Sequence, residues 1–229
     1  MGCCSSFGNG LNMSLVIGNK TQINPTPGNA NPYTFSHNQN AGSDKFIMCA
    51  FTMRNLVNFS GCTYNSVPMS LLSSSNFGSL QQRFACYGLK TSHSGANNVV
   101  ISFSGKQWSP MSIFVCSFTG CDGGGNVVND VLNANPNPEN INVSNGSVLY
   151  GTGISDNAFV TINIDGTNRT LQFQHNTNKQ VSGALSANPL SSGLITSINT
   201  VNSGQVTNQL IEIKEKSTTI SNSNFLQMF

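Results

Sequence analysis

The segment Phe159-Val160-Thr161-Ile162-Asn163-Ile164-Asp165-Gly166-Thr167-Asn168-Arg169-Thr170-Leu171-Gln172-Phe173 decides the fold class. Phe159 to Ile164 and Thr170 to Phe173 alternate apolar and polar residues on either side of Asp165-Gly166-Thr167-Asn168, and Asp-Gly between alternating runs is a strong hairpin signal. The same grammar recurs along the chain. Ile141 to Ser144 and Ser147 to Tyr150 flank Asn145-Gly146, and Cys62 to Tyr64 and Val67 to Leu71 flank Asn65-Ser66. Each arrangement predicts a β-hairpin.

Working outward, Arg83 to Lys90 and Val99 to Phe103 alternate as strands, with Ser73 to Phe77 expected as a loop before them. Phe46 to Met53 and Ile113 to Phe118 carry apolar side chains on both parities, which predicts central strands covered on both faces. Met13 to Ile17 is a possible first strand and Gln205 to Ile213 a closing one, while Asn24 to Pro32 reads as a loop or extended arm. The glycines of Thr119 to Gly125 predict a sharp turn or a close backbone approach. No window repeats apolar residues at helical spacing over three turns. The expected fold is all-β: a single antiparallel β-sandwich of about ten strands, jelly-roll-like. Its expected organisation is an N-terminal arm with one possible strand over 1–32, the sandwich over 33–216 and a C-terminal tail over 217–229.

Charged residues make up 8 % of the chain against roughly a quarter in an average soluble domain, so its polarity is that of amides and hydroxyls. The net charge is +2 and its cations are scattered singly along the sequence, which argues against nucleic acid as a partner, since that needs a basic stripe. The apolar runs are far shorter than the roughly 18 residues of a membrane-spanning helix.

Met1-Gly2-Cys3-Cys4-Ser5-Ser6 fits an N-myristoylation pattern, so Gly2 is a candidate for acylation and Cys3 and Cys4 for palmitoylation, against the plainer reading of a small-residue leader. At the other end, Phe225-Leu226-Gln227-Met228-Phe229 is an apolar tip suited to tucking onto its own domain or inserting into a neighbour. With no signal-like segment at the N-terminus, the chain is expected to stay in the cytoplasm where it is made. Of the seven cysteines, Cys49, Cys86 and Cys116 sit in apolar runs and read as core thiols, while Cys62 and Cys121 lie in turn-like surroundings. No Cys or His spacing makes a zinc site; Asp122, Asn126 and Asp130 could supply oxygen to a calcium ion, but their spacing matches no defined loop and a plain glycine turn is the favoured reading, so no metal or other cofactor is expected.

Chemistry is sparse. The sequence has no GxSxG elbow, and Ser92-His93-Ser94 has no acid beside it. Most of the eight carboxylates sit in turn contexts, where they cap rather than catalyse. No catalytic residues are expected. Trp108, in a loop before a strand, is the first candidate for an exposed aromatic that stacks on a sugar, with Asp122 and Asn126 as companions from the glycine-rich turn.

The series Asp44-Lys45-Phe46-Ile47, Cys62-Thr63-Tyr64-Asn65-Ser66-Val67-Pro68-Met69, Tyr87-Gly88-Leu89-Lys90, Asn98-Val99-Val100-Ile101-Ser102-Phe103-Ser104-Gly105, Ser117-Phe118-Thr119-Gly120-Cys121-Asp122 and Gln209-Leu210-Ile211-Glu212-Ile213-Lys214 spans roughly residues 44 to 214. In that order it resembles a β-sandwich domain recurrent in tailed-phage virion proteins. The chain departs from that pattern at Cys121, where valine is usual, and at Asn65 and Ser66, where a small glycine is usual. The resemblance implies a jelly-roll-like head decoration, head fibre or tail adhesion module without catalytic residues, located in the virion and made in the host cytoplasm. Its implied partners are other virion proteins (major capsid, neck or tail) and further copies of itself. The alternatives are a module that recognises a host surface glycan and an N-acylated peripheral protein of a eukaryotic virus.

Overall fold

The structure is a computed structural model that describes residues 14–25, 31–54, 59–77, 82–105, 111–155, 160–169, 171–176, 180–186, 189–202, 204 and 206–217. Strand follows strand through all of them. The first nine are β1 (Val16–Ile23), β2 (Tyr33–Gln39), β3 (Lys45–Arg54), β4 (Phe59–Tyr64), β5 (Val67–Pro68), β6 (Ser70–Phe77), β7 (Gln82–Thr91), β8 (Gly95–Phe103) and β9 (Met111–Thr119). The next nine are β10 (Cys121–Ala134), β11 (Asn137–Val143), β12 (Val148–Ser155), β13 (Thr161–Ile164), β14 (Thr167–Asn168), β15 (Leu171–Asn176), β16 (Gln180–Leu185), β17 (Gly193–Thr200) and β18 (Val206–Glu215).

The first nine form an inner sheet β1-β9-β3-β7-β6 and an outer sheet β2-β8-β4-β5. First pairs with last, second with next to last, and so inward: this is a long antiparallel hairpin rolled into two sheets, the jelly-roll wiring. The second nine repeat it strand for strand, as β10-β18-β12-β16-β15 and β11-β17-β13-β14. The antiparallel, jelly-roll-like sandwich is present, but the expectation of a single one of about ten strands is corrected: two nine-strand units are found, and β1, in the segment expected as an arm, is already the edge strand of the first inner sheet.

The two units share irregularities that topology alone would not impose. The edge strands of the two inner sheets share a bulge, between Ile17 and Lys20 in β1 and between Gly124 and Val127 in β10, and each of these bulges contains Gly-Asn; β10 has two further irregularities, between Cys121 and Gly123 and between Asp130 and Ala134. A second bulge recurs between Leu71 and Ser73 and between Leu171 and Phe173. Each β2-type strand is preceded by a cis Asn-Pro bond, Asn31-Pro32 and Asn135-Pro136, and the tetrapeptide Asn-Ala-Asn-Pro occupies 29–32 and 133–136 of the sequence. The Asn31 side chain donates to Phe103 O at 2.9 Å and accepts from Phe103 N at 3.1 Å; Asn135 does the same with Val201, at 2.8 and 3.2 Å.

Three apolar layers hold the stack together in the order outer, inner, inner, outer. Alternation on β3 divides its side chains as expected of a central strand: Phe46, Met48 and Ala50 enter the middle layer, and Ile47, Cys49, Phe51 and Met53 the layer beneath the first outer sheet. The middle layer joins the two units. There Phe114 stacks on Tyr150 with ring centroids 5.7 Å apart, and Val148, Ile211 and Ile213 meet Phe46, Phe84 and Phe118. Each large side chain buried this way contributes about 1.5–3 kcal/mol, so the units cohere through this face. Beneath the second outer sheet, Leu149 and Leu210 pack on Ile141, Ile162, Ile164 and Ile195.

Local expectations fare unevenly. Asn65-Ser66 and Asp165-Gly166 are hairpin turns with positive φ at both residues, joining β4 to β5 and β13 to β14; the expected second arm of the latter, Thr170 to Phe173, is not its partner, because Leu171 to Phe173 belongs to β15, which pairs with β16 in the inner sheet. Asn145-Gly146 is not a hairpin: β11 pairs with β17 in the outer sheet and β12 with β16 and β18 in the inner one, so this turn carries the chain between sheets. A turn signal specifies reversal, and the partner is chosen by which faces need covering. Ser73 to Phe77, expected as a loop, belongs to β6, an edge strand that pairs only with β7 and so tolerates serines. The glycine-rich segment turns at Gly120 (φ 64°) but continues as β10 from Cys121 onward. Cys62 and Cys121 are buried strand residues rather than turn residues, as buried as the three expected core thiols.

Candidate functional site

Where the two units join, the chain passes from β9 through Gly120 into β10, and the backbone is tied across by Gly120 N to Ser43 O (3.2 Å), Cys121 N to Asp44 O (3.0 Å) and Lys216 N to Gly120 O (2.9 Å). These ties leave a cleft of about 580 Å³ lined by Gly42, Asp44, Lys45, Lys90, Asp122 and Lys216, among others. Charge-poor elsewhere, the chain gathers charge here. Lys90 of the first unit meets Asp122 of the second at 2.6 Å, and Lys216 of the second meets Asp44 of the first at 2.6 Å, so two reciprocal ion pairs clasp the units. The Lys90 ammonium holds the Asp122 carboxyl below its ordinary range, and Lys216 does the same for Asp44. Lys45 donates to Ser94 Oγ at 2.7 Å.

Both ion pairs are open to solvent, so water and salt screen them. Lys90→Ala is accordingly expected to change unfolding free energy by less than about 1 kcal/mol, measured by urea denaturation. A loss of several kcal/mol would mean that the clasp, and not the apolar middle layer, holds the units together.

The sequence-derived site residues do not converge. Asp122 is in the cleft. Asn126 lies in the β10 bulge, where its amide donates to Asn142 O at 2.8 Å; its counterpart Asn19 donates to Asn38 O at 3.0 Å. The same bond in both units makes Asn126 a staple between sheet edges rather than a ligand contact. Trp108, the tail residues Phe225, Leu226, Met228 and Phe229, and the N-terminal Gly2, Cys3 and Cys4 lie outside the described residues.

Two buried polar groups were not singled out from sequence. Glu212 is 1 % exposed and accepts from Ser144 N (2.6 Å), Asn126 N (2.9 Å) and Ser147 Oγ (2.7 Å). Burial pushes its carboxyl up, but those donors pull harder and hold it below the usual range. His37, 1 % exposed, is hydrogen-bonded to Thr21 Oγ1 at 2.8 Å and Ser117 Oγ at 2.7 Å, and burial lowers its pKa to about 4. This Ser-His contact is sealed between sheets and has no carboxylate behind it. Burial also pushes the Cys116 and Cys121 thiols up to about 12, far from a reactive thiolate.

Among the described residues, no three His, Cys, Asp or Glu side chains group to hold a metal, and no helix is long and apolar enough to cross a membrane. Compared with known proteins, the chain matches no family model, no curated protein and no solved structure.

Proposed function

We propose that the chain is a non-enzymatic structural subunit of a virion, a capsid decoration or a head-fibre or tail-associated component of a tailed phage. In this reading the segments before β1 and after β18, including the apolar tip Phe225 to Phe229, hold it to neighbouring virion proteins or further copies. The observation that carries the reading is the wiring: two complete jelly rolls joined through their inner sheets, a fold used in shells and lectins. The chemistry of the described residues agrees with it. The polar groups that stand together are spent on closing bulges, staples and ion pairs, which is what a rigid building block needs.

A glycan-binding module is the competing reading, but Asp122 is engaged by Lys90 and Asn126 by a backbone carbonyl. Quantitative mass spectrometry of purified particles from the source virus tests the proposal. The expected result is this protein at a fixed, reproducible ratio to the major capsid protein. Its absence from particles, with specific binding on a glycan array, would discard the structural reading.

A further inference from the structure

Between its inner and outer sheets the first unit leaves a cleft of about 470 Å³, lined by Phe59, Leu71, Ser74, Asn76, Ala85 and Tyr87, among others. It follows from unequal strand lengths. The outer sheet ends at β5, two residues long, whereas the inner sheet ends at β6, eight residues long. Leu71 and Ser74 stand opposite Tyr87 and Ala85, on the face of β6 that turns towards the outer sheet. Beyond β5 that face is open, and Leu71 is 53 % exposed.

The duplication shows why the opening belongs to the first unit. Rings hold the sheets apart there: Phe51 stacks on Tyr87 with centroids 5.7 Å apart and meets Phe59 edge-on at 4.5 Å. The register positions of Phe51, Tyr87 and Ala85 are taken in the second unit by Gly153, Ala184 and Ser182. Without those rings the second outer sheet comes closer. A Cβ on Gly153 would sit 2.8 Å from Val160 Cγ1, and Ser182 Oγ accepts from Val160 N at 3.0 Å. Ala85 has no oxygen with which to make that staple.

We propose that in the free chain the apolar tip Phe225-Leu226-Gln227-Met228-Phe229 folds back and fills this cleft, extended against the outward edge of β6. Its point of departure and its tether argue for it. β18 ends at Glu215, and Lys216 is held at the junction by its ion pair to Asp44 and by its N–H to Gly120 O. Asp44 adjoins Lys45, which pairs with Thr91 of β7. From there the mouth of the cleft, where Tyr87 faces Leu71, is four residues along β7 and one further strand across, a span of about 16 Å at the usual strand rise and spacing. Thr218 to Asn224, polar except for Ile220, bridge up to about 23 Å when extended. They bring Phe225 to Leu71 with chain to spare. The chemistry matches as well: an uncharged tip with two phenylalanines, a leucine and a methionine meets Leu71, Phe59 and Tyr87, and the sheet edge at β6 offers its backbone to an added strand. The short tether favours the chain's own cleft over that of a second copy. This inference concerns the chain by itself and does not rest on the virion reading; exchange of the tip between neighbouring copies would use the same cleft.

Photo-crosslinking of the full chain with benzoylphenylalanine in place of Phe229, at micromolar concentration and after hundredfold dilution, tests this. The expected product is a link within one chain to a peptide of β4, β6 or β7, in a yield that dilution does not change. Leu71→Asp, at an exposed position outside the core, is expected to cut that yield at least tenfold. Hydrogen exchange gives a second readout: a chain ended at Asn224 is expected to exchange the β6 amides at least tenfold faster than the full chain, with the matching edge strand β15 unchanged. Links to other regions, links formed only between chains, or β6 exchange that is the same with and without the tip would each overturn the proposal.

Discussion

Glu212→Ser is expected to destabilise the chain by about 3 kcal/mol or more, and adding Ser144→Asn is expected to recover a large part of that loss. The size follows from what Glu212 satisfies: two backbone N–H groups and a hydroxyl that would otherwise be left without an acceptor. The recovery follows from the first unit. There the residue facing the bulge is Ser117, and the bulge amide Asn19 N is accepted at 2.8 Å by Asn40 Oδ1, from the residue just after β2. In the second unit the residue after β11 is Ser144, whose side chain is too short for that reach, and Glu212 supplies the acceptor from the inner sheet. The units solve one problem with exchanged residues: Asn40 and Ser117 in one, Ser144 and Glu212 in the other. Denaturant titration of the two single variants and the double one measures it. If Ser144→Asn adds its own loss to that of Glu212→Ser, the two bulges are not equivalent.

The second large effect is a dependence on pH. His37 titrates at about 4 in the folded chain, below the ordinary 6.5, because its ring is sealed between sheets. The unfolded chain therefore binds a proton that the folded chain refuses. Stability from this residue is complete above pH 6.5, falls by about 1.4 kcal/mol for each pH unit below it, and levels off near pH 4, a total of about 3 kcal/mol. Glu212, Asp44 and Asp122 have lowered carboxyl pKa values, so their contributions are present above the ordinary carboxylate range and are lost as pH falls through it. The His37 effect begins at a higher pH than theirs. His37→Gln is expected to flatten the profile between pH 6.5 and 5 and leave the steeper acid limb in place. An unchanged slope in that window would mean that the imidazole is hydrated in solution.

The class of fold was legible in the sequence because two-residue periodicity and turn chemistry are local. Phe46 to Met53 announced a central strand, and Asn65-Ser66 and Asp165-Gly166 announced their hairpins. Pairing is not local, so Asn145-Gly146 looked like another hairpin although it leads between sheets. The duplication left clear traces in the repeated Asn-Ala-Asn-Pro and in the Gly-Asn at 18–19 and 125–126. These stand among so many other asparagines and glycines that only the shared register sets them apart. The junction cleft was hidden for a different reason. Asp44, Lys90, Asp122 and Lys216 are scattered along the chain, and only the meeting of the two units assembles them.

Hydrogen exchange followed by mass spectrometry tests the tandem, inner-face-to-inner-face arrangement most directly. The two units are expected to exchange in matched order, with β3, β9, β12 and β18 slowest because they lie inside their sheets beside the shared middle layer, and β5 and β14 fastest. Rapid exchange in β12 and β18 while β3 and β9 stay protected would contradict it, because the second half would then not be a closed jelly roll packed on the first.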